Sequence, residues 1–123
     1  KSRKVNAKAI SAGCCEVIQA SVAELPFEDN TFDLVTAFET IYFWPGLIDC
    51  FREVYRVIKP GGTFFICNES NGETSKDEKW VEKIGGMTIY NAAKILNALN
   101  EVGFSNAQVI KNDKGWLCVT AIK

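Results

Sequence analysis

Residues 39–45 read ETIYFWP and bring a carboxylate together with two aromatic rings that carry polar groups. Glu39 could take a proton, and the π faces of Tyr42 and Trp44 could favour a nearby cation. The alternative for Tyr42, Phe43 and Trp44 is packing beneath the helix that follows. A second carboxylate, Glu69 in CNESNG, ends another apolar run, and its alternative is a solvated loop position. Metal chemistry finds no support. The cysteines at 14, 15, 50, 67 and 118 include no CxxC pair, and the chain has no histidine to complete a zinc set. They read instead as small buried hydrophobes in a reducing compartment.

The elements that position these residues follow from periodicity. Residues 1–12 look like the middle or end of a helix, closed by Gly13, as if the chain starts within a domain. CCEVIQA predicts a strand at 15–20. Pro26 and residues 28–30 then break the chain. Residues 32–38, FDLVTAF, are apolar enough for a central strand covered on both faces. From Leu47 the positions Leu47, Ile48, Phe51, Val54, Tyr55 and Ile58 form one helical stripe, leaving Asp49, Arg52, Glu53 and Arg56 on the opposite side.

KPGG stops that helix, because proline cannot continue one and glycine accepts backbone angles that other residues refuse. TFFICN at 63–68 is the next strand, so strand, helix and strand form a parallel βαβ unit. Residues 70–87 are polar, with a short helix expected near 76–84. A helix over 88–102 is closed by Gly103, and AQVIK and WLCVTAI flank NDKG as an antiparallel hairpin. A parallel unit followed by a helix and a closing hairpin specifies a mixed sheet rather than the parallel sheet of a dehydrogenase.

Composition narrows the partners. The 123 residues are 47% hydrophobic and 24% charged, with a formal charge of −1, which is ordinary for a globular domain and lacks the basic excess of a nucleic-acid binder. No run approaches the ~18 apolar residues of a membrane span. A cytoplasmic protein acting on a small molecule is the expectation.

The pieces ASVAELPF (20–27), NTFDLVTAF (30–38), FREVYRVIKPGG (51–62) with TFFICNE, LNEVGF (99–104) and the final hairpin, in this order, resemble the class I S-adenosylmethionine-dependent methyltransferases. The likeness is specifically to the broad set that includes the ubiquinone and menaquinone biosynthesis C-methyltransferases, of the methyltransferase domain 11 type. The resemblance covers nearly the whole chain and implies the α/β, Rossmann-like three-layer sandwich of that family. It also implies that the chain is the C-terminal two-thirds of one domain, truncated at its N-terminus, since no GxGxG occurs and no acidic strand end precedes Lys1.

Carried over by position, the resemblance puts Ser21 at the adenine amine, where an aspartate is commoner. It puts Val22 along the adenine and Phe38 near the sulfonium. It makes Glu39 and Tyr42 the catalytic candidates, and Thr40, Trp44 and Glu69 the side facing the methyl acceptor. Histidines that family members often carry after the central strand have no counterpart. S-adenosylmethionine is the implied cofactor, although without the glycine-rich loop these residues would hold only its adenine end, and the chain alone should bind it weakly.

In the family's sheet two further strands lie between those at 15–20 and 32–38. The strand at 15–20 should therefore pair with its remaining neighbour, or a second copy should supply an edge and make a homodimer. Two other readings stand beside this one. The chain could be an interaction or regulatory module that keeps the fold without turnover. Tyr90 and Lys94 in YNAAK also satisfy the YxxxK pattern of short-chain dehydrogenases, without the surrounding signals of that family.

Overall fold

The computed structural model describes residues 1–72 and 87–123. Its frame is a four-stranded sheet of order β1-β2-β4-β3, built from β1 (Phe32–Phe38), β2 (Ile58–Asn68), β3 (Ser105–Lys111) and β4 (Leu117–Ile122). β1 and β2 run parallel, whereas β4 is antiparallel to both β2 and β3. The parallel step is made through α3 (Leu47–Val57), whose stripe buries Cys50, Phe51, Val54 and Val57. Two short helices, α1 (Ser2–Val5) and α2 (Ala7–Ser11), precede the sheet, and Gly13, φ +76°, follows the Ala12 cap of the second. α4 (Ala92–Val102) starts later than its apolar pattern suggests because Asn91 caps it, its side chain accepting from the Lys94 N–H at 2.9 Å. The helix near 76–84 lies outside the described residues.

Alternation along each strand sends one set of side chains to a common core. Ala37, Phe64, Ile66, Leu117, Val119 and Ala121 meet the buried faces of α3 and α4. Phe51 and Phe64 cross edge to face at 5.4 Å, and Phe104 closes the cluster at 5.7 Å from Phe64. The opposite sheet face is open among the described residues: Leu34, Phe38 and Ile110 are each more than half exposed.

Several expectations change. Residues 15–20 form no strand, since among the described residues no neighbouring strand takes up their backbone groups, and the Arg3 guanidinium reaches the Val17 carbonyl at 3.3 Å instead. They do not pair with β1, which is an outer strand of the described sheet rather than a central one. KPGG is not a loop between helix and strand. α3 gives way at Val57, Ile58 already pairs with Phe32, and residues 59–62 bulge out before the register resumes at Leu34↔Thr63. Gly62 is the tight point, because a Cβ there would lie 2.5 Å from Ile58 Cγ2 and 2.9 Å from the Asp33 and Lys59 carbonyl oxygens. Of the cysteines, only Cys50 is buried.

Candidate active site at the strand ends

The C-terminal ends of β1 and β2 carry the candidate chemistry, which is where open α/β sheets place ligands. Immediately after β1, Glu39 takes φ +56°, a conformation uncommon outside glycine, while its N–H donates to the Cys67 carbonyl at 2.9 Å. The turn directs its carboxylate back over the end of β2, where Oε1 accepts the Glu69 N–H. The Tyr42 hydroxyl lies 3.5 Å from the same oxygen and accepts the Ser70 N–H at 3.0 Å. One carboxylate oxygen is thus anchored. The other, Oε2, has no hydrogen-bond partner among the described residues, and the side chain is exposed.

Tyr42 is 3% exposed, and its phenol is pushed up to about 12, first by burial and further by the Glu39 charge, against the opposing Ser70 bond. It is therefore a neutral hydrogen-bonding group near pH 7 that fixes Glu39 and the β2 terminus. Thr40 is exposed, and its carbonyl starts the 3-10 turn Ile41–Phe43 by accepting the Phe43 N–H at 3.1 Å. The Trp44 indole stacks on Phe64 at 6.4 Å and meets Phe51 edge to face at 6.0 Å, so one face belongs to the core. Phe38 is 57% exposed and leans on Phe65 at 5.6 Å. The Glu69 side chain projects into solvent.

Ser21 and Val22 come from another segment. The Ser21 hydroxyl accepts the Ala23 N–H at 3.2 Å and keeps its own O–H free to donate, while Val22 packs against the core. Neither has a direct hydrogen bond to Glu39 or Tyr42. What holds this segment is Arg56, together with Glu53, both of which the helical pattern assigned to the solvated side. Arg56 donates to the carbonyls of Phe27 at 2.7 Å and Leu25 at 3.0 Å, and pairs with Asp29 at 2.9 Å and Glu53 at 2.5 Å. Glu53 in turn accepts the Leu25 N–H at 2.6 Å, and the Arg56 guanidinium holds its carboxyl below the usual range.

Sequence reasoning missed this clamp, because its carbonyl partners carry no side-chain signature. It also missed Asn68, fully buried at the end of β2 with neither amide atom hydrogen-bonded among the described residues, a condition that a bound water or ligand group would relieve. Its only sequence signal is an amide ending an apolar run. Tyr90 and Lys94 line a shallow groove of about 450 Å³ with Leu47, Asp49 and Glu101 and make no hydrogen bond to each other.

A methyltransferase domain family matches residues 1–66, more than half of the chain. The chain belongs to that family. Among relatives of this methyltransferase domain, cycloartenol-C-24-methyltransferase 1 of Oryza sativa is 32% identical over 113 residues, covering 85% of this chain and 33% of the relative. The ubiquinone/menaquinone biosynthesis C-methyltransferase of Bartonella tribocorum is 35% identical over 77 residues, covering 63% and 28%. The chain thus spans about a third of the length of the curated relatives it matches. Among solved structures, an S-adenosylmethionine-dependent methyltransferase of Methanococcus maripaludis superposes with a TM-score of 0.72 at 26% identity, over 98% of this chain and 59% of that one.

These likenesses match the Rossmann-like α/β fold, and S-adenosylmethionine is the cofactor of such proteins. The residues present fit part of it. The free Ser21 O–H and the apolar Val22 suit an adenine ring, and the exposed Phe38 ring, one residue before Glu39 in the chain, suits a cationic centre.

Proposed function

We propose that this domain serves S-adenosylmethionine-dependent methyl transfer to a small acceptor with a largely apolar body, of the sterol or prenylated-quinone class. The observation that carries this reading is Glu39: a strained residue at a strand end, with one carboxylate oxygen anchored and the other free, next to an exposed aromatic ring. The cofactor supplies an electrophilic methyl group on a sulfonium. The chain's own residues supply alignment and proton handling. Ser21 and Val22 hold the adenine, and Phe38 lies along the charged end. Oε2 of Glu39 accepts the proton that an acceptor carbon or oxygen must lose, and Tyr42 keeps that carboxylate in place.

Thr40, Trp44 and Glu69 line the acceptor side, where the half-exposed Phe43 adds apolar surface. The sterol and quinone methyltransferases among the relatives, together with the formal charge of −1, support a small apolar acceptor over nucleic acid. Five free cysteines support a reducing compartment, the cytoplasm, and no helix of the described residues is long and apolar enough to cross a membrane. The outer edge of β1 supports a homodimer through strand pairing.

The alternative reading is an interaction or regulatory module that keeps the fold without turnover, since fold alone does not establish activity. The deciding experiment incubates the intact parent protein with methyl-labelled cofactor and separate pools of sterols, prenylated quinones, polar metabolites and RNA. Label in the sterol or quinone pool, lost in Glu39→Gln while cofactor binding persists, is expected. Label confined to RNA or to polar metabolites overturns the acceptor class, and no label in any pool favours the module.

A further inference from the structure

On the open face of the sheet, Cys67 of β2 stands directly across from Cys118 of β4. Their sulfurs lie 3.1 Å apart, with the Cys118 thiol donating to Cys67. Backbone bonds show which kind of cross-strand pair this is. The Cys67 carbonyl accepts the Glu39 N–H and so points toward β1, away from β4. Lys123 donates to the Gly62 carbonyl at 3.0 Å, and from there the register runs unbroken from Thr63↔Ile122 to Asn68↔Leu117, alternating bonded and non-bonded pairs. Cys67 and Cys118 therefore form a non-hydrogen-bonded pair, the kind with Cα atoms about 4.5 Å apart. That spacing lies inside the range of about 4.4–6.8 Å that a disulfide requires, so closing the bond needs no slide of the strands.

Both side chains are half-buried on a face whose neighbours Leu34, Phe38 and Ile110 are largely exposed, leaving a small oxidant an approach. The other thiols lack this geometry. Cys50 is fully enclosed, and Cys14 and Cys15 are adjacent in sequence, with Cα atoms about 3.8 Å apart and too close for an unstrained bridge.

We propose that Cys67 and Cys118 are a reversible modification site, closed to a cross-strand disulfide by a low-molecular-weight disulfide such as oxidised glutathione. The sulfur of one cysteine, after releasing its proton, attacks the glutathione disulfide; that S–S bond breaks, and one glutathione leaves and takes up a proton. The sulfur of the second cysteine, also deprotonated, then attacks the protein sulfur of the mixed disulfide and releases the second glutathione as a thiol. Two protein thiols lose two electrons and two protons, and the oxidant gains them; a dithiol reverses the exchange. Burial, then the Cys118 thiol, push the Cys67 thiol up to about 11, so its thiolate is scarce near pH 7 and the exchange quickens as pH rises.

The bridge clamps β2 to β4 at the residue paired with Phe38, one step from the strand end that holds Glu39 and Ser70. The thiol chemistry holds whatever the domain's substrate is.

Treating the intact native chain with oxidised glutathione and mapping its peptides without reduction tests the proposal. The expected product is a linked peptide containing Cys67 and Cys118, short by two hydrogens, with both cysteines lost together to alkylation and no glutathione retained on either. In Cys118→Ser the mixed disulfide cannot resolve, and glutathione retained on Cys67 should rise by about tenfold or more. Cys67→Ala gives the mirror result on Cys118 should the first variant fail to fold. A native chain in which either cysteine keeps glutathione, or in which both remain alkylatable under conditions that oxidise Cys14 or Cys15, overturns the assignment.

Discussion

Alanine at Gly62 should damage the fold far more than alanine at Gly61, although the two glycines look equivalent in RVIKPGG. A Cβ at position 62 meets Ile58 Cγ2 at 2.5 Å and the carbonyl oxygens of Asp33 and Lys59 at 2.9 Å. Ile58 is fully enclosed and the two oxygens belong to the backbone of β1 and β2, so no flexible side-chain end can move aside. Overpacking of this kind costs about 1–3 kcal/mol, and two rigid contacts place it toward the upper half. Position 61 has φ +84° and nothing within 4 Å, so alanine there pays only the left-handed penalty of about 1 kcal/mol. For a chain of this length about 1 kcal/mol moves the melting temperature by roughly 4 °C. Gly62→Ala should then melt about 8–12 °C below the native chain and Gly61→Ala about 4 °C below it. Thermal unfolding followed by circular dichroism on the two variants side by side is the assay. A drop for Gly61→Ala equal to or larger than that for Gly62→Ala would refute the bulge geometry as the reason for the second glycine.

Two further outcomes follow from the site. Arg56→Lys retains the charge but loses the fork that reaches the Leu25 and Phe27 carbonyls together with Glu53; amide hydrogen exchange should speed up across residues 21–30 while β2 and β4 keep their protection, and uniform loosening would count against a local clamp. Tyr42→Phe removes the acceptor of the Ser70 N–H, at about 1–2 kcal/mol. Because folding raises the Tyr42 phenol from 10.0 to about 12, the protonated phenol supports the native state fully below pH 10, and that support is lost as pH rises toward 12 and the phenol must ionise. Denaturant midpoints measured across this range should fall with pH in the native chain and flatten in the variant, and parallel curves would show that Tyr42 is not the group responsible.

Much of the frame was legible because local patterns and the fold agreed. The run FDLVTAF, the stripe from Leu47, the strand TFFICN and the NDKG hairpin all appear where periodicity and turn chemistry place them. The site was legible only as a location, the residues following two strands. The order of those elements already specified a mixed sheet, since a two-strand hairpin cannot close a wholly parallel one.

Tertiary structure alone decided which residues are working parts. Arg56 and Glu53 read as solvent-facing on the helical wheel, yet they close on backbone carbonyls of residues 25–27, partners that leave no trace in residue type. CEVIQA has strand propensity, but a strand exists only where a neighbour accepts its hydrogen bonds, and none does so among the described residues. Five cysteines with no CxxC spacing looked like core filler. That Cys67 and Cys118 face each other depends on the register of two strands separated by some fifty positions in the chain, and a slip of one residue would send their side chains to opposite faces.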